Sequence, residues 1–216
     1  NTTALEPLVR TSIGAPDLNP HQWDAWRHAL TRRLTLIWGP PGTGKSRTVG
    51  AILDGLAIDA ANNGTRLRIL LTAQTWTAVD NVLEPFHGRN PNVTTFRVRS
   101  AVAGPPTGPL AAIDMVSNDQ SDRDSVLDEL DTATGPVVVA GTPQQIQQLV
   151  KDAGRSCAAP TFDVIIVDEA GQAEMGTSIL AFALLAKDGQ VVVAGDPLQL
   201  PPIHQVEPPP DLAHLV

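Results

Sequence analysis

The stretch Gly39-Pro-Pro-Gly-Thr-Gly-Lys45-Ser46 constrains the fold more than any other part of this chain. It follows the apolar run Leu34–Trp38 and precedes a helical pattern over Lys45–Ala60, so it predicts a strand, a tight loop and a helix in that order. Gly39, Gly42 and Gly44 allow the backbone to turn sharply with its N–H groups facing inward, and the helix that follows adds the positive end of its dipole. Lys45 can then reach the β- and γ-phosphates of a nucleoside triphosphate, while the hydroxyl of Ser46 can ligate magnesium. With Pro40 and Thr43 these residues form a candidate cofactor site for a triphosphate and Mg2+. A glycine- and proline-rich turn without a ligand is the plainer alternative, in a chain with 17 Gly and 19 Pro.

The same strand-then-helix rhythm recurs. A helix over about Pro20–Arg33 carries Trp23, Trp26 and Leu30 as an apolar stripe. Ile69–Thr72 leads into a helix over Thr75–Phe86, Thr94–Val98 is a weaker strand, and Val137–Ala140 precedes an amphipathic Pro143–Val150. Val164–Val167 precedes an Ala-rich helix near Met175–Leu185, and Val191–Ala194 is the last strand. This alternation predicts an α/β fold, a mostly parallel sheet covered by helices on both faces. At 216 residues, one large domain is favoured over two. Residues 1–17 read as a loose leader, 18–203 as the domain, 104–135 as an acidic surface excursion with a short helix, and 204–216 as a proline-rich linker. The N-terminal Asn1, with neither Met nor a signal-like apolar stretch, reads as the start of an excised fragment.

Composition removes several classes. The apolar runs are too short to span a bilayer, so no membrane partner is expected. One cysteine, Cys157, permits no internal disulfide and points to a reducing, intracellular setting, the cytoplasm in a bacterial cell. A net charge of −8 opposes tight nucleic-acid binding by the overall field. Local basic groups remain: Arg27, Arg32 and Arg33; Arg66 and Arg68; Arg89, Arg97 and Arg99. Solvated helix and strand ends are the plainer reading of each group.

Phosphoryl transfer needs a metal anchor and a group that activates water. Phe162-Asp-Val-Ile-Ile-Val-Asp168-Glu169 supplies both at the end of an apolar strand, where ligands bind in open parallel sheets. Asp168 would hold magnesium and Glu169 would polarise the attacking water, although such a pair can also cap a helix. Gln199, in Gly195-Asp-Pro-Leu-Gln-Leu-Pro-Pro202, follows the last strand and could sense the γ-phosphate by hydrogen bonding.

In order along the chain, these segments resemble the first RecA-like domain of superfamily 1 helicases of the Upf1-like group. Leu18-Asn-Pro-His-Gln22 is similar to the Q motif, and the phosphate loop follows it. Leu71-Thr-Ala-Gln-Thr-Trp-Thr-Ala-Val-Asp-Asn81 is similar to motif Ia and Ala140-Gly-Thr142 to motif Ic. Asp168-Glu-Ala-Gly-Gln-Ala173 is similar to motif II, and Gly195–Pro202 to motif III. The resemblance implies that Gln22 recognises adenine, that Thr72, Thr75 and Thr142 lie along a single strand of DNA or RNA, and that Gln172 and Asp196 link nucleotide state to strand grip. Motif Ia commonly reads Pro-Thr-Asn where this chain has Gln74-Thr75-Trp76. Trp76 could stack a base or pack into the core. The short acidic 104–135 segment stands where relatives often carry a full accessory domain.

The resemblance further implies a second RecA-like domain in cis, supplying arginines to the ATP site. It implies a fragment that binds Mg-ATP, hydrolyses it slowly and does not unwind a duplex alone. Three readings remain open: the motor half of a DNA or RNA helicase, an ATPase that remodels nucleic-acid–protein complexes without unwinding, and a non-enzymatic ATP-dependent binding module that meets a partner through the acidic segment.

Overall fold

The computed structural model describes residues 2–99, 110–111, 113–116, 120–152, 161–172, 175–196 and 198. Helix α1 (Thr2–Ile13) leads into α2 (Pro20–Thr31), β1 (Leu34–Trp38), α3 (Lys45–Asn63), β2 (Leu67–Ala73), α4 (Trp76–Arg89) and β3 (Thr94–Val98). Then follow β4 (Asp114–Val116), α5 (Gln120–Thr132), β5 (Pro136–Gly141), α6 (Pro143–Asp152), β6 (Phe162–Asp168), a short 3-10 turn over Ala170–Gln172, α7 (Met175–Phe182) and β7 (Leu185–Gly195). The seven strands form one sheet in the order β1-β7-β6-β2-β5-β3-β4, and every pairing is parallel. This matches the expected α/β class.

Successive strand residues point to opposite faces, and the two cores divide accordingly. Ile69, Leu71, Val138, Ala140, Val164 and Ile166 pack into one cluster with residues of α1 to α4. Leu70, Val137, Val139, Ile165 and Val167 pack into the other, beneath α5, α6 and α7. Strands buried on both faces explain why they read as unbroken Val/Ile/Leu runs.

Local chemistry sets the helix ends. Asn19 and Gln22 form a reciprocal capping box at α2, with Pro20 at the first helical position. The Thr75 hydroxyl caps α4 by accepting from the Ala78 N–H. Trp26, fully buried, ties α2 to α3 by donating its indole N–H to the Ala51 carbonyl at 2.9 Å.

Two sequence expectations are corrected. The 1–17 leader is not loose: residues 2–13 form α1, with Leu5 and Val9 buried on one face and Glu6 accepting from Arg27 at 2.9 and 3.1 Å. Pro7 masked this i, i+4 apolar pair in the sequence pattern. The acidic excursion is not a surface appendage either. Its β4 extends the sheet beyond β3, and Val126, Leu127 and Leu130 of α5 are buried in the second core, leaving Asp124, Asp128 and Asp131 on the outer face. A helix needs only one apolar stripe when a sheet already provides the opposing surface. Strand β7 is also longer than the expected Val191–Ala194, running from Leu185, with residues 186–189 bulging from the ladder where the register against β6 shifts.

Register brings the strand ends into line. Trp38 pairs with Gly195, Val167 with Val193, and Ala73 with Asp168, so the loop after β1, the acidic pair after β6 and the end of β7 share the carboxyl edge. There the turn after β6 meets β7 backbone to backbone. A Cβ on Gly171 would collide with the Asp196 carbonyl, and one on Gly195 would lie 2.8 Å from the Gly171 nitrogen. Replacing Gly171 with Ala should therefore cost about 1–3 kcal/mol in urea denaturation. Gly88→Ala, within α4 and with open space around its Cβ, should instead stabilise by about 0.5–1 kcal/mol. Equal effects at the two positions would contradict the close approach.

Between α3 and α4 lies Asp54, fully buried, accepting from Arg89 Nε at 2.8 Å and Asn90 Nδ2 at 2.6 Å. Burial pushes its carboxyl up to about 6, and the Arg89 charge and the two hydrogen bonds recover only part of the rise. The folded state thus keeps a proton that the unfolded chain, at its ordinary 3.8, has released. The Asp54 contribution favours folding at low pH and is lost as the pH rises from about 4 to about 6. Thermal melts should show wild type gaining stability relative to Asp54→Asn between pH 7 and pH 5; parallel pH profiles would contradict this.

Candidate nucleotide-binding site

The loop between β1 and α3 is anchored at its start and open at its end. Gly39 N–H donates to the Gly195 carbonyl at 3.3 Å, and the Thr43 hydroxyl donates to the Pro40 carbonyl at 2.8 Å. Gly42 and Gly44 take φ of 79° and 82°, the left-handed region that favours glycine. Gly44 has a second constraint, since a Cβ there would lie 2.7 Å from Gln22 Nε2. No side chain caps α3, so the N–H groups of its first turn face outward without an intrahelical acceptor. Lys45 is buried and folds back on the loop, its Nζ 2.7 Å from the Gly39 carbonyl and 3.3 Å from that of Pro40. A cation and a row of free donors around one turn make an anion site.

Asp168 ends β6 beside this loop. It is fully buried, its Oδ1 accepts the Glu169 N–H at 2.9 Å, and its Oδ2 has no hydrogen-bond partner among the described residues. Burial pushes the carboxyl above its ordinary range. The Ser46 hydroxyl, the Glu169 N–H and the Lys45 charge oppose that rise, and the Glu169 charge adds to it. A buried carboxylate oxygen without a partner, next to a serine hydroxyl at the mouth of an anion site, fits a hard divalent cation. Among the described residues, no three or more His, Cys, Asp or Glu side chains gather as a metal cage. That fits magnesium, which takes one or two protein ligands and completes its shell with phosphate and water. Glu169 is half-buried and sits at φ 52°, a left-handed conformation rare outside glycine and often found at functional turns.

Beside the loop, between α2 and β1, is a cavity of ≈ 390 Å³ lined by Asn19, His21, Gln22, Trp38, Gly39 and Lys45, among others. Both ends of the Gln22 amide are engaged at its wall. Oε1 accepts the Asn19 N–H at 2.8 Å, and Nε2 donates to the Thr43 carbonyl at 2.9 Å. Gln22 therefore links the α2 cap to the loop itself. The capping role was legible in the Asn19-Pro20-x-Gln22 spacing, yet sequence reasoning assigned the residue only to base recognition. Trp38, 68% exposed, donates its indole N–H to Asp196 Oδ1 at 3.3 Å, which ties the start of the loop to the end of β7. No motif signalled that contact.

The remaining candidates separate. Thr72 is fully buried and its hydroxyl has no partner among the described residues, so it presents nothing to the surface. Thr75 is exposed but its hydroxyl caps α4. Thr142 is buried and its carbonyl accepts the Ile146 N–H at the start of α6. Trp76 is half-buried, with the Arg97 guanidinium 4.7 Å from its ring centre. Gln199 lies outside the described residues. Half of the eight arginines suspected of forming a basic track are ion-paired within the fold: Arg27 with Glu6 and Asp24, Arg68 with Asp163, Arg89 with Asp54, and Arg97 with Asp80.

Comparison with known proteins places the chain in a family. The family described as "AAA domain" matches residues 17–154 and 138–206. The regulator of nonsense transcripts 1 homolog of Drosophila melanogaster is 30% identical over 218 residues, covering 92% of this chain and 18% of its own length. The DNA replication ATP-dependent helicase/nuclease DNA2 of Saccharomyces cerevisiae is 31% identical over 168 residues, covering 78% of this chain and 10% of its own. The chain thus spans less than a fifth of either relative. A nuclease-deletion mutant of the Type ISP restriction-modification enzyme LlaGI, solved with a DNA substrate mimic, shares the fold. Its TM-score is 0.54 at 18% identity, covering 82% of this chain and 17% of that one. The chain belongs to the AAA-domain family and is a RecA-like P-loop ATPase domain related to the Upf1-like superfamily 1 helicases.

Proposed function

We propose that this domain is the motor half of a DNA or RNA helicase, coupling ATP hydrolysis to movement along a single strand in the longer protein. The observation that carries the reading is the buried Asp168 Oδ2, without a hydrogen-bond partner among the described residues, beside Ser46 and an uncapped, lysine-bearing loop. A purely structural acidic turn has no reason to keep that oxygen unsatisfied. The relatives include a regulator of transcripts and a DNA replication helicase/nuclease, so both polymers are natural substrates to test.

Each residue then has a defined task. Lys45 exchanges the Gly39 and Pro40 carbonyls for the β- and γ-phosphate oxygens, and the free N–H groups of α3 cradle the same phosphates. Gly39, Pro40, Gly42, Thr43 and Gly44 shape that cradle. Ser46 and Asp168 hold Mg2+, which when bound neutralises charge on the phosphate oxygens. Glu169, held beside Asp168 by its unusual backbone, orients and deprotonates the attacking water. Gln22 reads the adenine edge from the wall of the cavity, giving up its contact with Thr43 or Asn19 to do so. Gln199 reports the γ-phosphate, an assignment that rests on the resemblance of Gly195–Pro202 to motif III. Thr75 and Trp76, with Thr142 at the neighbouring strand end, border the path of the nucleic acid. A second RecA-like domain in cis supplies the arginines that complete the ATP site. Residues 18–203, with α1 packed into their first core, form the present domain, and 204–216 read as a linker.

The test is the ATPase rate of the full-length protein with and without single-stranded DNA and RNA. Stimulation by at least one polymer is expected. Glu169→Gln should lower the stimulated kcat by roughly 10²–10⁴-fold with ATP binding retained. Lys45→Ala should lose ATP binding itself. Gln22→Ala should weaken discrimination of ATP from GTP. Failure of both polymers to stimulate would overturn the motor reading.

A further inference from the structure

Trp76 is the first residue of α4, directly after the Thr75 cap, at the carboxyl edge of the sheet. It is not one of the core residues of that helix, which are Ala78, Val79, Val82, Leu83 and Phe86. Asp80 follows at i+4, so the two side chains share one side of α4. Arg97 reaches both of them from β3. Its Nε and Nη2 donate to the two Asp80 oxygens at 2.6 and 2.7 Å, and its guanidinium carbon lies 4.7 Å from the Trp76 ring centre. A bidentate fork fixes the guanidinium plane, and the fixed cation in turn holds the indole.

Arg97 is itself buried, with only 11% of its side chain exposed, so the bracket is part of the fold. Register places it well. Arg97 pairs with Ala140, and Thr72, four residues before Trp76, pairs with Gly141. The indole therefore stands at the same sheet edge as Thr142, the neighbouring candidate for strand contact. A large aromatic held at the solvent boundary, with its rotamer already paid for by an ion pair beneath, loses little entropy when a second flat group stacks on it. Nucleobases are such groups, and stacking tolerates any base because each has a π face.

We propose that Trp76 is a stacking platform for one unpaired base of a DNA or RNA strand, and that Arg97, locked by Asp80, is the residue that positions it. The inference rests on the nucleic-acid reading above. It adds a site that grips the strand by a base, where Gln74 and Trp76 stand in place of the usual Pro and Asn of the motif and Thr75 is kept.

The experiment measures binding of the full-length protein to fluorescein-labelled oligo-dT, oligo-U and an abasic deoxyribose-phosphate strand of equal length. Wild type should prefer a base-bearing strand to the abasic one by roughly 5- to 150-fold, the range of one aromatic–base stack. Trp76→Ala should remove that preference and leave abasic binding unchanged, whereas Trp76→Phe should keep most of it. Arg97→Gln should reduce the preference in wild type and have no such effect in the Trp76→Ala background, which separates positioning from general stability. Oligo-dT and oligo-U report which polymer supplies the base. If Trp76→Ala weakens all strands equally, or none, the platform is overturned while the nucleic-acid reading stands. If wild type binds no strand of either kind, both are overturned.

Discussion

The close approach of two backbone segments, the turn after β6 and the end of β7, is the constraint on which the rest of the site depends. Gly171 and Gly195 have no side chains where the Asp196 carbonyl and the Gly171 nitrogen pass. Because those segments touch, Asp168 and Asp196 arrive at one edge. The Gly39 N–H can then bond the Gly195 carbonyl, and Trp38 can bond Asp196. The phosphate loop is thus stitched to β7 on one side and, through Gln22 and Thr43, to the α2 cap on the other. A loop held at both margins can leave its centre undersatisfied. Lys45 resting on carbonyls and the uncapped start of α3 are the result.

Charge is handled differently inside and at the edge. Asp54 and Asp163 have arginine partners, and Asp80 shares the Arg97 fork. Asp168 has only a backbone N–H on Oδ1 and a nearby hydroxyl, with Oδ2 unsatisfied. The contrast marks Asp168 as the carboxylate left short of partners among the described residues. It also explains how a chain of net charge −8 keeps an anion site: the local field comes from Lys45 and aligned N–H groups, not from the surface.

Much of this was legible in the sequence because two periodic signals agreed. The strands β1 and β3 and the start of α3 lie where alternation and loop spacing placed them, and the central β2, β5 and β6 show as branched apolar runs because they are buried on both faces. What escaped was tertiary. Leu5 and Val9 make a helix only because α2 and α3 offer a surface, and Pro7 disguised them. The short helix of the acidic segment was legible, but not that Val126, Leu127 and Leu130 bury it against the sheet, which depends on the edge beside them. Thr72 read as a surface contact because a motif gives its order but not its burial. The Arg97–Asp80–Trp76 bracket joins a strand to a helix across 17 residues, and no local pattern encodes it.

The central claim is that Asp168 and Ser46 complete a magnesium site at the mouth of the phosphate loop. Isothermal titration of ATP into the protein, with magnesium and with EDTA, tests it most directly when wild type is compared with Asp168→Asn. Magnesium should tighten ATP binding to wild type, and that gain should vanish in Asp168→Asn while metal-free binding persists. An equal magnesium effect in both proteins, or none in wild type, would contradict the account.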